Sequence, residues 1–593
     1  MSNLVADPPF EDSRRLTGCN LFFEDCGAVL ESVLGAREGV SDAWRVRIAR
    51  ARAALGWPQG PIAVRPHAHG VSLVFAAPLD QLYAATEVNE WALCSALRDC
   101  GIEIGPWPDA PEVSSARNDA EALEILAAAA REEGMPALRV LAGEAAGRGI
   151  NLLADDEQVT LGSGRGGRSW LINALPAPSD VDWDALCDIP IALVTGSNGK
   201  TTITRLLAAM AKVHGWRTAH TCTDGVFVDA EAIDLDDYSG PGGARLALRR
   251  TDIDAAVLET ARGGMLRRGI APQHADVAVV ANVSEDHFGE YGIDNLDDLA
   301  EAKLTVARPL GTRGTLVVNG DDEVLLRHAR AGRASLALFG LDADAPLLRD
   351  HRAQGGASAG VRDGQLVLEL EGSTQDLGAI EAMPLTYGGA ARYNIANIAA
   401  AVLAADVLGI GADTIRSVLA SFGARPEDNP GRLEHHVLGD IETFLDFAHN
   451  PDGLRGLLEA ATRDRRGRVG MILGQAGDRS DHDMRELAAV AAAARPDYVV
   501  LKDQPEHFRG REAGEVPAIL RGVLLECGIE QARIVTEPDE WQAVLHLLAW
   551  AKSADKLVLQ VLDKEYRLRI SPLLDRLSHD GWRAGSPMPA DAI

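Results

Sequence analysis

The chain is poor in lysine. Of its 58 lysines and arginines in 593 residues, lysine takes only positions 200, 212, 303, 502, 552, 556 and 564. Where guanidinium groups carry nearly all the positive charge, a retained ammonium points to chemistry that arginine cannot perform. Lys200 and Lys303 become candidates on that ground, although surface lysines such as Lys552 and Lys556 survive as well. Positive charge as a whole is scarce, with a formal net charge of −29. Nucleic-acid binders need clustered Lys and Arg, so a nucleic-acid partner is not expected. The seven cysteines (19, 26, 94, 100, 187, 222 and 527) form no CxxC pair and no disulfide framework, and read as reduced, mostly buried thiols. No apolar run approaches the ~18 residues of a membrane span. The opening MSNLVADPPFEDSRR has no basic start followed by an apolar stretch. A cytoplasmic protein without a membrane partner is the expectation.

What is present fits an ordinary globular chain: 46% hydrophobic and 24% charged residues, long enough for about three domains. Residues 1–165 mix alternating apolar segments with Ala-rich helical stretches and read as a small α+β domain. Residues 166–187 read as a linker containing Leu175-Pro-Ala-Pro-Ser-Asp180. From 188 to 425 apolar runs at 191–194, 255–258, 277–281 and 315–318 alternate with helical patterns, the signature of a parallel sheet with crossover helices. Arg362-Asp-Gly-Gln predicts a hairpin turn ahead of a long Ala-rich helix from Asn394. After the break at Ala424–Gly431 the alternation resumes through 426–593, with strands near 441–447, 468–473, 497–501, 532–535 and 557–562. The fold class is therefore α/β: a parallel-sheet domain with a phosphate loop and a Rossmann-like last domain, preceded by a small α+β domain.

The stretch Val194-Thr-Gly196-Ser-Asn198-Gly199-Lys200-Thr201-Thr202 lies between an apolar strand and a helix whose Ile203, Leu206, Leu207 and Met210 share one face. A glycine-rich turn in that setting offers backbone N–H groups to phosphate oxygens, helped by the helix N-terminus. Lys200 can reach the outer phosphates and Thr201 can bind the accompanying Mg²⁺. Glu259 ends the strand before residue 260. Asn282 ends the strand after residue 277, with Asp286 and His287 just beyond. In an open parallel sheet ligands sit outside the carboxyl ends of the strands, so these groups converge on the edge that carries the loop. Glu and His there suit Mg²⁺, directly or through water. Lys303 is open to two readings, a solvated helical lysine or a carbamylated one holding a second metal. In the last domain Asp446 and His449 stand at a strand end, with Asn450 as N-cap and Pro451 at N1 of the next helix. The acids Asp478, Asp481 and Asp483 offer a place for a guanidinium, or are simply exposed. His67 and His69 offer two imidazoles on one face of a strand, a metal pair or a plain surface strand.

These motifs resemble the Mur ligase family. The residues are TGSNGKTT (195–202), TDG (223–225), VLETARGGMLRRG (257–269), NVSEDHFG (282–289), EAK (301–303), ARYNIANIAAA (391–401), NPGRLE (429–434), DFAHNPDG (446–453) and AGDRSDHD (476–483), in family order. Within the family they look most like the Mur ligase-like half of the cyanophycin synthetases. Asn20-Leu-Phe-Phe, Gly134-Met-Pro and Val159–Arg165 resemble the leading part of those proteins. The ATP-grasp domain found there is missing here, because the chain passes almost at once from Arg165 to the phosphate loop. The resemblance implies an ATP-dependent carboxylate–amine ligase working through an acyl phosphate. It would join an amino acid such as arginine to a carboxylate of an aspartate-containing peptide or small acid. The same chemistry on a cell-wall or folate-like acceptor, or a retired ATP-binding module, are the alternatives; a homo-oligomer is possible.

The resemblance also implies roles. Gly196, Asn198, Gly199, Lys200, Thr201, Thr202 and Asn282 would hold ATP, and Asn394 would contact adenine. Arg432 and Asp446 would complete the ATP site. Thr201, Glu259, His287 and a carbamylated Lys303 would hold one or two Mg²⁺. Thr223, Asp224, Arg262, His449, Asn450, Asp478 and Arg479 would face the substrates. Two departures stand out: Tyr393 where the family has His, and Phe447 where it has Tyr.

Overall fold

The computed structural model describes residues 7–105, 112–285 and 288–589. They form two compact units, one running to Ala337 with Ala404–Ile410, the other comprising Leu338–Leu403 and the residues from Gly411. No helix among the described residues is long and apolar enough to cross a membrane.

The first unit opens with a four-stranded antiparallel sheet in the order Asp12–Leu16, Gly27–Ser32, Gly70–Ala76, Ile62–His67. Side chains alternate between its faces. Ala28, Leu30, Val71, Leu73 and Phe75 point one way and pack on Trp44, Ile48, Leu93 and Leu97 of two helices, Val40–Leu55 and Leu82–Asp99. The other face carries Leu16, Val29 and Val74. It also carries a polar row, because Asp12 pairs with Glu31, Glu31 with Ser72, and Ser72 with Arg65 across the four strands. A three-stranded antiparallel sheet follows, and its last strand, Arg168–Leu171, falls inside the stretch expected as a linker.

Next comes a parallel array in the order Thr218–Cys222, Ala255–Glu259, Ile191–Thr195, Val277–Val280, Thr315–Asn319. The inner strands are buried along their whole length, as strands covered on both faces must be. The helix Lys200–His214 buries Ile203, Leu206, Leu207 and Met210, the face that the sequence spacing predicts.

In the second unit the predicted hairpin forms between Ala357–Arg362 and Gln365–Leu370, with Asp363 and Gly364 both at positive φ as a two-residue turn demands. A six-stranded sheet follows in the order Glu434–Leu438, Ile441–Asp446, Lys556–Gln560, Val469–Leu473, Tyr498–Lys502, Ile534–Glu537, parallel except for its first strand.

Two expectations are corrected here. All seven cysteines are free, but only Cys19, Cys94 and Cys222 are buried, while Cys100, Cys187 and Cys527 are exposed. Lys556 is no surface lysine: it is buried and pairs with Glu442 at 2.7 Å, fixed by its place on an inner strand.

Glu31 titrates unusually. Burial pushes its carboxyl up, but His67 at 3.4 Å and the Arg14 guanidinium at 2.8 Å outweigh burial and bring it from 4.5 to about 2. A folded-state value below the unfolded one adds stability above pH 4.5 that is lost as pH falls toward 2, an effect of the order of a few kcal/mol. Glu31→Gln should therefore lower the melting temperature at neutral pH and flatten the loss of stability over that window. Thermal melts of both proteins from neutral pH to pH 2 check this.

Candidate active site

The strand Ile191–Thr195 lies between Ala255–Glu259 and Val277–Val280. Successive strands are laid first on one side of it and then on the other, so a crevice opens beyond its carboxyl end. The turn Gly196–Gly199 occupies that crevice. Gly199 is the N-cap of the following helix at φ +85, a conformation that costs a side-chain-bearing residue energy and glycine none. The helix therefore starts with its N–H groups at the sheet edge, where an anion is favoured.

Asn282 fastens this turn. Its side chain accepts from the Asn198 N–H at 2.9 Å and donates to the Asn198 carbonyl at 3.1 Å, and its own carbonyl accepts from the Ser197 N–H at 3.0 Å. Ser284 adds a second clasp, its N–H and carbonyl each 3.0 Å from the Ser197 hydroxyl. The sequence reading named Asn282 but missed Ser197 and Ser284. Lys200 bends back so that its ammonium donates to the carbonyls of Gly196 and Ser197 at 3.0 and 3.1 Å.

The Thr201 hydroxyl donates to Glu259 at 2.8 Å. Glu259 is only 2% exposed at the end of its strand. A hydroxyl and a buried carboxylate side by side at a phosphate-binding edge form the hard oxygen donor set that suits Mg²⁺. Lys303, on the helix Leu296–Leu304, is 3% exposed, so its reading as a solvated helical lysine does not hold. His287 and Asp286 lie outside the described residues. Thr202 is buried in the first turn of the phosphate-loop helix.

On the flank of the crevice, Asp224 pairs with Arg205 at 2.8 Å, both buried. Burial opposes the Arg205 charge, but the carboxyl groups of Asp224 and Glu259 hold it in the charged form. His220 is driven down to about 3, by burial and then by Arg205, and stays neutral. Arg205 was not singled out in the sequence; its position on a buried helix face is the signal that an ordinary surface arginine would lack. The buried Thr223 hydroxyl has no hydrogen-bond partner among the described residues. Arg262 is buried and paired with Glu290.

The second unit places its candidates at the carboxyl edge of the six-stranded sheet and on a neighbouring helix. Asp446 ends its strand and accepts from the N–H groups of Leu433 (2.6 Å) and Ala448 (2.7 Å). Burial pushes its carboxyl up, against the pull of Arg432 and those two hydrogen bonds. Arg432 lies over the Phe447 ring at 4.6 Å, and Arg567 lies over the same ring at 5.0 Å. The His449 ring is 4.9 Å from the Phe447 ring. Asn450 caps the helix Pro451–Thr462 through the Gly453 N–H at 2.8 Å, as its sequence position predicts. Gln560 ties the turn down, donating to the Ala448 carbonyl at 2.7 Å and accepting from the Gly474 N–H at 2.8 Å. Asn394 is buried and donates to the Leu385 carbonyl at 2.9 Å while accepting from Asn397 at 3.0 Å. Leu385 and Arg432 both line a cleft of about 230 Å³.

The acids expected to await a guanidinium already hold two from this chain. Asp478 pairs with Arg509, and Asp481 with Arg511 at 2.7 Å, while Asp483 forms a capping box with Ser480. Arg479 is buried beside them. His67 and His69 do not pair as metal ligands: His67 approaches Glu31 at 3.4 Å and His69 approaches Asp294 at 3.7 Å.

Comparison with known proteins gives two family matches. Residues 194–405 match the Mur ligase middle domain, and residues 431–560 match the Mur ligase, glutamate ligase domain. The cyanophycin synthetase of Synechocystis sp. is 37% identical over 340 residues, 57% of this chain and 38% of that protein. That of Crocosphaera subtropica is 34% identical over 396 residues, 65% of this chain and 44% of that protein. The chain thus spans about two fifths of the length of these relatives. Among solved structures, E. coli FolC in complex with ADP has a TM-score of 0.48 at 18% identity, covering 65% of this chain and 89% of that one.

Removing the Arg205 guanidinium should take from the buried Asp224 carboxylate the charge partner at 2.8 Å. Arg205→Met is expected to cost about 3 kcal/mol or more in denaturant unfolding. The double variant Arg205→Met/Asp224→Asn should recover most of that loss.

Proposed function

The chain belongs to the Mur ligase family through residues 194–560, and we propose that it is an ATP-dependent ligase that joins a carboxylate to an amine. The observation that carries this reading is the phosphate turn clasped by Asn282, with the Thr201–Glu259 pair beside it at the strand-switch crevice. A carboxylate oxygen of the acceptor attacks the γ-phosphorus of ATP, the bond to the ADP oxygen breaks, and an acyl phosphate forms. The amine then attacks the acyl carbon, phosphate leaves, and an amide remains. Such chemistry asks a protein mainly for position and charge neutralisation. Lys200, released from the Gly196 and Ser197 carbonyls, is the cation for the β- and γ-phosphates. Thr201 and Glu259 are the residues that would hold Mg²⁺, which supplies charge neutralisation at the phosphates when bound. Lys303, buried at the same crevice by this reading, serves a second metal when carbamylated. Thr223, Asp224 and Arg262 are assigned to the acceptor. In the second unit we assign Asn394, Arg432 and Asp446 to the nucleotide, and His449 and Asn450 to the amine side.

For substrates we propose an aspartate-containing peptide or small acid as acceptor and an amino acid such as arginine as amine, following the resemblance to the cyanophycin synthetases. The pairing of Asp478 and Asp481 with the chain's own arginines argues that an incoming guanidinium would have to displace Arg509 or Arg511 to use them.

Phosphate release from ATP, measured against carboxylate peptides paired with amino acids, tests the reading. Turnover with at least one pair is expected; tight ATP binding with no turnover for any pair would point to a retired ATP-binding module instead. Lys200→Ala should lose ATP affinity, by about tenfold or more for a charge-assisted contact. Lys303→Ala should keep ATP affinity and lose turnover. A finer check uses Tyr393, whose buried hydroxyl has no hydrogen-bond partner among the described residues and lies in the field of Asp446. If the nucleotide satisfies that hydroxyl, Tyr393→Phe should leave the melting temperature of the free protein unchanged or raised. It should also weaken ATP binding by about fivefold, near the net worth of one hydrogen bond.

A further inference from the structure

The polar row on the outer face of the N-terminal sheet meets the turn Glu290–Ile293 of the phosphate-loop region. This turn closes as a two-residue hairpin: Gly289 N–H donates to Ile293 at 2.9 Å and Ile293 N–H to Glu290 at 3.1 Å. Its central residues are Tyr291 at φ +54 and Gly292 at φ +67. A tyrosine in that left-handed region costs about 1 kcal/mol or more, so something outside the turn must hold it.

Arg267 and Arg262 hold it from one side, through the Tyr291 hydroxyl at 2.7 Å and through Glu290, and the N-terminal sheet holds it from the other. The Arg14 guanidinium lies over the Tyr291 ring at 4.6 Å, while its Nε donates to the Leu266 carbonyl at 2.9 Å. Arg65 donates to the Gly292 carbonyl and also pairs with Asp298. The Ala68 N–H donates to Asp294 at 2.6 Å. A Cβ built on Gly292 would stand 2.7 Å from the His67 ring, so the sheet and the turn touch with no room for a side chain. Asp298 is the hub on the far side. It accepts from Asp294 N–H at 3.1 Å and from Asn295 Nδ2 at 2.8 Å, and it lies in the first turn of the helix Leu296–Leu304. Lys303 follows on that same helix and is buried. Arg65 thus grips both ends of the segment that leads from the turn into the helix bearing Lys303.

We propose that Arg65 is a positioning residue for the ligase site, setting the Lys303 helix through Gly292 and Asp298, so that the N-terminal sheet is a working part of the site. This rests on the ligase reading given above. A guanidinium suits the task because its planar fork spans a carbonyl and a carboxylate at once, which an ammonium does not do in one geometry. The contact between Gly292 and His67 fixes the distance at which the fork works. A displacement of about 1 Å at a reacting group can cost on the order of a hundredfold in rate, so a small shift of this helix suffices.

The full chain serves as the test, with Arg65→Ala, Arg65→Lys and Gly292→Ala, and with Arg50→Ala as a control at an exposed ion pair of the same layer. Two readouts are taken. Hydrogen exchange of the amides from 289 to 304 needs no substrate, and kcat, KM and ATP affinity are measured with the most active carboxylate–amine pair. Arg65→Ala and Gly292→Ala should speed exchange in that segment and lower kcat by about tenfold to a hundredfold. ATP affinity should stay within about twofold, because the phosphate turn is held from elsewhere by Asn282. Arg65→Lys should restore part of kcat, and Arg50→Ala should change none of these. Wild-type exchange over 289–304 in Arg65→Ala overturns the proposal whether or not the chain turns over ATP. Equal loss of ATP affinity and kcat, with a lowered melting temperature, overturns it as well, since that is a merely structural role. Failure of the ligase reading shows separately, as an absence of turnover in the wild-type protein.

Discussion

One amide side chain, that of Asn282, carries the phosphate edge of the first unit. A short glycine turn between a strand and a helix leaves several backbone groups without partners in either element. Asn282 takes up the Asn198 N–H and carbonyl and the Ser197 N–H, which fastens the turn to the neighbouring strand end. The consequence is chemical. With those two amides committed inward, the proposed phosphate site is left with the helix N-terminus, Lys200 and Thr201 to attract an anion. The turn is shorter than the usual G-x-x-x-x-G-K-[ST] loop, and a side chain from the neighbouring strand end supplies the rigidity that a longer backbone nest would supply itself. Asn282 reaches the turn because its strand lies directly beside Ile191–Thr195.

Much of this was legible in the sequence, because it is local. The buried strands at 191, 255, 277 and 315, the apolar face of the phosphate-loop helix, the Asp363-Gly364 hairpin and the Asn450 cap each follow from residues within a few positions of one another. The convergence of Thr201 and Glu259 was legible too, since Glu259 ends the strand Ala255–Glu259 and Thr201 opens the helix that follows the adjacent parallel strand Ile191–Thr195. What was not legible depends on register or on long-range pairing. The Asp12–Glu31–Ser72–Arg65 row exists only once four strands are aligned. The partners of Asp478 and Asp481 are arginines some 30 residues away, so a cluster of acids that looked vacant is occupied. Lysine scarcity pointed to Lys200 and Lys303, yet Lys502 is equally buried in an ion pair with Glu540 and marks no chemistry in this reading. Retained lysine therefore signals burial as much as function.

Arginine abundance has its own structural account. Arg14 reaches Asp12, Glu31, the Leu266 carbonyl and the Tyr291 ring, which lie on separate segments of the chain. Arg511 reaches Asp481, Glu515 and two backbone carbonyls. A guanidinium with five donors fixed in a plane can cross-link several acceptors with little further loss of rotamer freedom, whereas an ammonium on a flexible stem cannot. In a chain of −29 net charge such hubs draw carboxylates of distant segments together and offset part of the self-repulsion. Hubs of this kind attach the N-terminal sheet to the phosphate-loop region, beside backbone contacts such as that of the Thr17 N–H with the Arg268 carbonyl at 2.8 Å.

The two departures from the family pattern obey the same economy of partners. The guanidinium groups of Arg432 and Arg567 each lie over the Phe447 ring, at 4.6 and 5.0 Å. An aromatic ring presents a negative face to a cation, which favours both contacts. The buried Asp446 carboxylate next in sequence adds the counter-charge. What the position requires is the ring face, so losing the usual tyrosine hydroxyl removes nothing that the two arginines use. Tyr393 is the converse case. Its ring packs within 2.9 Å of where a Cβ on Gly456 would stand, so the phenyl body is fixed by shape. Its hydroxyl gains no partner among the described residues, and burying it costs of the order of 1–3 kcal/mol. Burial and then the Asp446 carboxylate raise the pKa of that hydroxyl, so a nucleotide held at Asp446, as proposed above, would meet a phenol and not a phenolate.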